Sequence, residues 1–285
     1  MNIQWYPGHM AKAKRLIKDN LTLVDVVIEI IDARVPISSR NPDVDELIGS
    51  KPKLMVLNKA DLSDPIINKQ WQTFLEEHKA DNIFINSISG QGINQVLKKI
   101  EKIMQEKLDR LVQKGRKNRP IRCMIIGIPN VGKSTFINKV VGRASAKTGN
   151  RPGVTQGKQW IKISEKIDLL DTPGILWPKF EDPKIGLKLA WIGSIKDDIL
   201  DQEELAFNLI KFLTEQYPKL LEDRYKIQIK HKEALEVFTD IATKRGNIVK
   251  GGEPDYTRTA EMLLEEFRKG KIGKISLEMP DPVEI

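Results

Sequence analysis

Cysteine is almost missing: Cys123 is the single example in 285 residues. No disulfide framework can form within the chain, and a reducing, cytoplasmic compartment is the expectation. Cys123 stands among Ile121, Met124, Ile125 and Ile126, the setting of a buried strand residue rather than a reactive thiol. Long apolar runs are also lacking. Val24–Ile31 is interrupted by Asp25 and Glu29, far short of the ~18 apolar residues that a membrane helix requires. The first 18 residues hold Trp5, Tyr6 and Pro7 but no apolar core, so a secretory signal is not expected. No internal repeat or low-complexity tract appears, which leaves a globular chain long enough for one larger and one smaller domain.

Acid is missing from two stretches. Residues 1–18 carry Lys12, Lys14, Arg15 and Lys18 against none, and residues 110–122 carry six basic residues against none. With a net charge of +8 and further basic residues spread from Arg224 to Lys274, a polyanionic partner, nucleic acid first, is the expectation. A solvated basic face is the competing explanation for each run taken singly.

What is present is an alternation. Val24–Ile31, Leu54–Leu57, Ile83–Ile85, Met124–Ile126, Trp160–Ile163 and Ile167–Leu170 read as six short strands. Helical spacing falls between them at Asp43–Gly49, Ile67–His78, Ile93–Val112 and Lys133–Val141, with the basic stretch before Arg122 as a linker. This predicts an α/β fold: a mainly parallel, six-stranded sheet covered on both faces in three layers. After Trp177 the strands stop. Glu203–Glu215, Lys232–Arg245 and Thr257–Lys269 read as helices, two of them stopped by glycine, and so predict a small all-α domain.

Chemistry concentrates at strand ends. Gly127-Ile-Pro-Asn130-Val131-Gly132-Lys133-Ser134 follows a strand and opens a helix, as a phosphate loop (P-loop) must. Backbone N–H groups and the helix N-terminus would face phosphate. Lys133 would reach the β- and γ-phosphates, with Thr135 next in the helix, and the Ser134 hydroxyl would hold Mg²⁺. Asp171-Thr-Pro-Gly174 ends the last strand; Asp171 is placed to hold Mg²⁺ through water and the Gly174 N–H to sense a γ-phosphate. A simple β-turn is the plainer reading of that tetrapeptide. Thr155 would complete the metal shell, with Thr148 as the rival. Asn58-Lys59-Ala-Asp61 ends another strand. The Asp61 carboxylate can accept from both N1–H and N2–H₂ of guanine, a pair that adenine lacks. Asn58 would serve the N7/O6 edge, the Lys59 stem would lie across the base, and a backbone N–H near Ser87 and Ile88 would meet O6.

Together these segments resemble the motif set of the translation-factor-related GTPases, but with the guanine pair ahead of the phosphate loop. That order resembles the circularly permuted GTPases. Trp5-Tyr-Pro-Gly-His9-Met-Ala-Lys12, Asp32-Ala-Arg34-Val-Pro36 and Arg40-Asn-Pro42 are similar, more narrowly, to the bacterial ribosome-assembly GTPase A group. The resemblance spans essentially the whole chain. It divides the chain into a basic lead (1–20), a permuted GTPase domain (21–178) and a helical RNA-binding tail (179–285). It implies GTP hydrolysis to GDP during late assembly of the large (50S) ribosomal subunit. Its partners would be that subunit or its precursor, ribosomal RNA and ribosomal proteins, with no membrane span. It also implies His9 as the water-handling group, because Ile175 stands where a water-orienting glutamine often sits; a recognition or folding role is the rival. Asn130 matches an asparagine of GTPases that use K⁺ as an extra charge, or else it only shapes the loop. Two other functions stay open: an RNA-binding scaffold with GTP as a structural ligand, and a permuted GTPase of tRNA modification or translation. The tail is alternatively a packing domain with an incidentally basic surface.

Overall fold

The computed structural model describes residues 15, 17–113, 119–148, 160–170 and 182–280. Two compact units result, one built on a sheet and one of helices alone.

The sheet unit follows the strand–helix alternation. β1 (Val26–Asp32), β2 (Lys53–Asn58), β3 (Asn82–Phe84), β4 (Ile121–Ile126), β5 (Trp160–Lys162) and β6 (Ile167–Leu170) line up in the order β3-β2-β1-β4-β6-β5. Every pairing is parallel except β5 with β6. Each residue of β1 is buried, as expected of a central strand rich in Val and Ile and covered on both faces. Its one carboxylate inside the run, Glu29, lies 3.3 Å from the Lys53 ammonium and 3.9 Å from Arg40. The acid that seemed to interrupt an apolar strand is therefore compensated.

Four helices connect the strands: α1 (Asp43–Ile48), α2 (Pro65–Glu77), α3 (Ile93–Gln113) and α4 (Lys133–Thr148). α2 starts where local chemistry says it should. Asp64 accepts from the Ile66 N–H at 2.8 Å, and Pro65 takes the first helical position. Ile17 and Leu21 pack with Val27, Val44, Ile48, Met124 and Ile126 in one core cluster. Ile31, Met55, Leu57 and Leu75 form another.

α3 ends within one residue of its expected end at Val112, but β4 begins at Ile121 rather than Met124, so the end of the supposed linker belongs to the sheet. Arg119 grips Asp25 through two nitrogens at 2.7 and 2.8 Å, while the Arg122 N–H reaches the same carboxylate at 3.0 Å. One buried acid at the start of β1 thus anchors the segment that leads into β4.

The helical unit holds α5 (Pro183–Trp191), a 3₁₀ turn at Asp197–Ile199, α6 (Gln202–Gln216), α7 (Pro218–Tyr225), α8 (Ala234–Arg245) and α9 (Tyr256–Arg268). α5 and α7 were not read from the sequence. Both are short and begin with proline, and α7 follows α6 after Tyr217 alone, so no loop signal separates them. α6 packs against α8 and α9. Arg268 donates to the carbonyls of Ala190 and Trp191 and pairs with Asp197, tying α9 to the end of α5. Part of the basic tail is neutralised internally. Glu266 takes Arg224 and Arg245 as partners, Lys232 pairs with Asp240, and Lys269 with Glu265. Lys226, Lys230, Lys244, Lys250 and Lys274 remain exposed.

The chain then rejoins the sheet unit. The Glu278 carboxylate accepts from the Ile37 N–H at 2.7 Å, the Ser38 N–H at 3.2 Å and the Ser38 hydroxyl. Its carbonyl accepts from the Trp71 indole at 3.1 Å. No periodicity or motif marks Glu278 in the sequence.

Candidate functional site

Parallel strands deliver their carboxyl ends to one edge of a sheet, where ligands of open α/β folds bind. Here that edge gathers Asp32 from β1, Asn58 from β2, Asn86–Ser87 after β3 and Gly127 after β4. Segments far apart in sequence therefore meet because the strands that carry them are neighbours.

Asn58 joins three of them. Its side-chain N–H donates to the Val131 carbonyl of the phosphate loop at 2.8 Å. Its side-chain oxygen accepts from the Ser87 N–H at 3.0 Å and the Ser87 hydroxyl at 2.9 Å. Asn58 and Ser87 are each 2% exposed. One of the two Asn58 amide N–H groups and its side-chain oxygen thus hold the two loops together, and the second N–H is the donor that the N7/O6 edge of a base would take. The Ile88 and Ser89 N–H groups donate to Asn86 at 2.8 and 3.0 Å. The amides following β3 are therefore engaged in shaping their own turn, while the Ile88 side chain stands 77% exposed.

Asp61 behaves differently. The turn beneath it is braced by the Ala60 N–H on the Ile85 carbonyl at 3.1 Å, and by Ser63 and Asn68 on the Ala60 carbonyl at 3.2 Å each. Asp61 itself is exposed, with its carboxylate at the surface of the edge. An exposed acceptor pair on a braced turn suits the two adjacent donors of guanine.

The phosphate loop is closed by glycines at which a Cβ would meet close neighbours. A Cβ on Gly127, at φ 151°, would stand 2.3 Å from the Ile30 carbonyl oxygen. One on Gly132, at φ 99°, would stand 2.2 Å from the Asn58 amide nitrogen. Asn130 sits in the left-handed region at φ 62°, which asparagine tolerates better than most residues. Val131 is fully buried, whereas Ser134 and Thr135 are exposed in the first turn of α4. Lys133 is largely buried and donates to the Ile128 carbonyl at 2.6 Å, across the mouth of the loop. The cationic lysine and the cradle too tight for a Cβ suit phosphate, and the exposed Ser134 hydroxyl is an oxygen donor of the kind Mg²⁺ favours beside phosphate. Among the described residues no cluster of three acidic, histidine or cysteine side chains offers a separate metal site. His9, Thr155, Asp171 and Gly174 lie outside the described residues.

Cys123 is fully buried in β4, and burial with nearby Asp25 and Asp168 pushes its thiol far up, so it has no part in the chemistry.

Comparison with known proteins agrees with this geometry. A family profile described as "50S ribosome-binding GTPase" matches residues 122–244, starting at the strand that feeds the phosphate loop. The chain is 48% identical over 281 residues to "Ribosome biogenesis GTPase A" of Bacillus pumilus, covering 99% of this chain and 100% of that protein. It is 49% identical to the protein of the same name in Bacillus cereus, covering 99% and 95%. Among solved structures, the "GNP-bound YlqF from T. maritima" superposes with a TM-score of 0.68 at 30% identity, over 95% of this chain and 99% of that one.

Proposed function

This chain belongs to the ribosome biogenesis GTPase A family and is a GTPase, and from that premise we propose that it is a switch acting late in assembly of the large ribosomal subunit. The observation that carries the nucleotide part is the Asn58 hub. It draws the Asn58–Asp61 turn, the Ser87 turn and the phosphate loop into one site despite their permuted order. The 50S part rests on the family profile's own description and on the relatives' names. The exposed lysines of the helical unit suit an RNA partner, and a precursor of the 50S particle supplies both RNA and ribosomal protein. The cytoplasm is where such particles are assembled in a bacterium, and no described helix is long and apolar enough to cross a membrane.

Each residue has a stated part. Asp61 reads guanine, and Lys59 lines the base side. Ser87 and Ile88 shape the turn that the base abuts, with Asn58 holding that turn to the loop. Val131, Gly132, Lys133, Ser134 and Thr135 surround the phosphates, where α4 contributes its N-terminal dipole. Lys133 leaves the Ile128 carbonyl for phosphate oxygen, exchanging a neutral acceptor for a charged one. Ser134 and Thr155, with Asp171 through water, would hold Mg²⁺, which would neutralise developing phosphate charge. Gly174 senses the γ-phosphate. Asn130 is available to K⁺. With Ile175 unable to orient water, His9 does so once a partner positions the lead segment.

That arrangement makes hydrolysis partner-dependent. GTP turnover in potassium buffer should rise strongly when large ribosomal subunits are added, and His9→Ala should lose most of the stimulated rate while keeping GDP affinity. Equal turnover with and without particles would sink the assembly-switch reading. An Asp61→Asn variant tests the base reading by itself. Xanthine carries a carbonyl where guanine carries its amino group, so the amide should favour xanthosine nucleotides over guanosine nucleotides.

A further inference from the structure

Lys59 combines two features seldom found together. Its backbone is left-handed at φ 60°, a region that costs an L-residue about 1 kcal/mol or more. Its ammonium donates to the Asn130 carbonyl at 2.6 Å and lies 3.0 Å from a carboxylate oxygen of Asp32. Asn130 is itself left-handed, so the Lys59 ammonium ties together two loop residues that are both held at positive φ.

Asp32 is fully buried at the end of β1, in register with Asn58 of β2. Arg34 grips its carboxylate through Nε at 2.9 Å and Nη2 at 2.8 Å, and adds its backbone N–H at 3.1 Å. The Asp32 N–H donates to the Ser39 hydroxyl at 3.0 Å. The carboxylate therefore cannot swing away from Lys59 without breaking a two-pronged pair. Burial alone would push Asp32 up, but the charges and hydrogen bonds of Arg34 and Lys59 outweigh it and hold the group well below the usual carboxylate range. It stays ionised throughout the working pH range.

We propose that Asp32, locked by Arg34, is a positioning residue for nucleotide binding that acts through Lys59, pinning its ammonium to the Asn130 carbonyl so that the base-side lysine and the phosphate loop are set before the nucleotide arrives. The proposal rests on Asn58–Asp61 being the guanine-reading turn. A lysine with three donors and a flexible stem would otherwise find water as readily as one carbonyl, since Lys59 keeps 24% side-chain exposure. Pre-setting removes that freedom before binding rather than during it, which is how a residue that never touches the ligand raises affinity. Arg34 matters because its fork geometry fixes the carboxylate's orientation; a lysine there would not.

The test is a double-mutant cycle on the full chain, read as the release rate of a fluorescent GDP analogue. Asp32→Asn and Lys59→Ala should each speed release by about tenfold, and the double variant should release no faster than Lys59→Ala alone. An unchanged rate in Asp32→Asn, or a double variant that multiplies the two effects, overturns the proposal; a purely structural role would give the second pattern. Should Asp32→Asn fail to fold, the wild-type chain still decides. With ε-¹⁵N-labelled lysine, the Lys59 ammonium, assigned by Lys59→Arg, should exchange its protons slowly. Exchange as fast as that of exposed lysines overturns the proposal equally. Asp61→Ala serves as the separate control on the underlying reading: GDP affinity equal to wild type there would remove the guanine assignment, whatever the cycle shows.

Discussion

Two residues of one tetrapeptide should fail in opposite ways. Asn58→Ala removes three hydrogen bonds, to the Val131 carbonyl and to the N–H and hydroxyl of Ser87. At a net ~1 kcal/mol each, with an added penalty for groups left buried and unpaired, the expected loss is about 3–4 kcal/mol of unfolding free energy. In a unit of this size that lowers the melting temperature by about 6–15 °C. Asp61→Ala deletes an exposed carboxylate whose bonds are kept for ligand, so stability should change by less than about 0.5 kcal/mol. Both variants should lose guanine nucleotide affinity. Urea unfolding without nucleotide separates them, because bound ligand would stabilise wild type alone and exaggerate every difference. The reasoning is refuted if Asn58→Ala unfolds within about 1 kcal/mol of wild type, or if Asp61→Ala is destabilised as much as Asn58→Ala.

Gly132→Ala should weaken nucleotide binding at least ~10-fold, since its Cβ would meet the Asn58 amide at 2.2 Å on a φ of 99°. Gly142→Ala, an exposed α4 position with nothing within 4 Å, should leave binding intact and raise stability by up to about 1 kcal/mol, as calorimetry and nucleotide titration will show. Glu278→Ala should cost about 2 kcal/mol in chemical unfolding, because the Ile37 and Ser38 amides lose a charged acceptor; a change under about 0.5 kcal/mol would mean that the returning segment contributes nothing. Acid should destabilise the protein through Asp25, Asp32 and Glu266. For each, burial raises the carboxyl group's pKa, but arginine partners outweigh it and leave it below its ordinary value. The folded form then binds fewer protons than the unfolded chain. Their stabilisation is whole above about pH 5, and falls as pH drops through the range of the unfolded carboxylates and on toward the lower folded values. Unfolding midpoints that stay flat down to about pH 3 would contradict those ion pairs.

The sequence by itself determined the strand and helix order, the phosphate loop and the permuted succession of motifs. Each of these is a local statement. β1 shows as a β-branched run, α2 as helical apolar spacing, the loop as glycines at fixed spacing before a helix, and all rest on preferences within a few residues. The helices beginning at Pro183 and Pro218 escaped because they are too short to display a period. Only the tertiary structure decided which partners the motif residues take. Asn58 bonds a residue 73 positions away, Lys59 one 71 away, and Ser38 pairs with Glu278 across 240. Such pairings depend on which strands lie side by side, and a linear pattern does not carry that information. The same holds for charge. Lys232, Arg224, Arg245, Arg268 and Lys269 add to the net count in sequence, yet folding gives each an acidic partner, so the basic surface open to a polyanion is smaller than composition suggests. Periodicity selects elements over a few residues; the assignment of each polar group to a partner is made only when the sheet and the helices close around it.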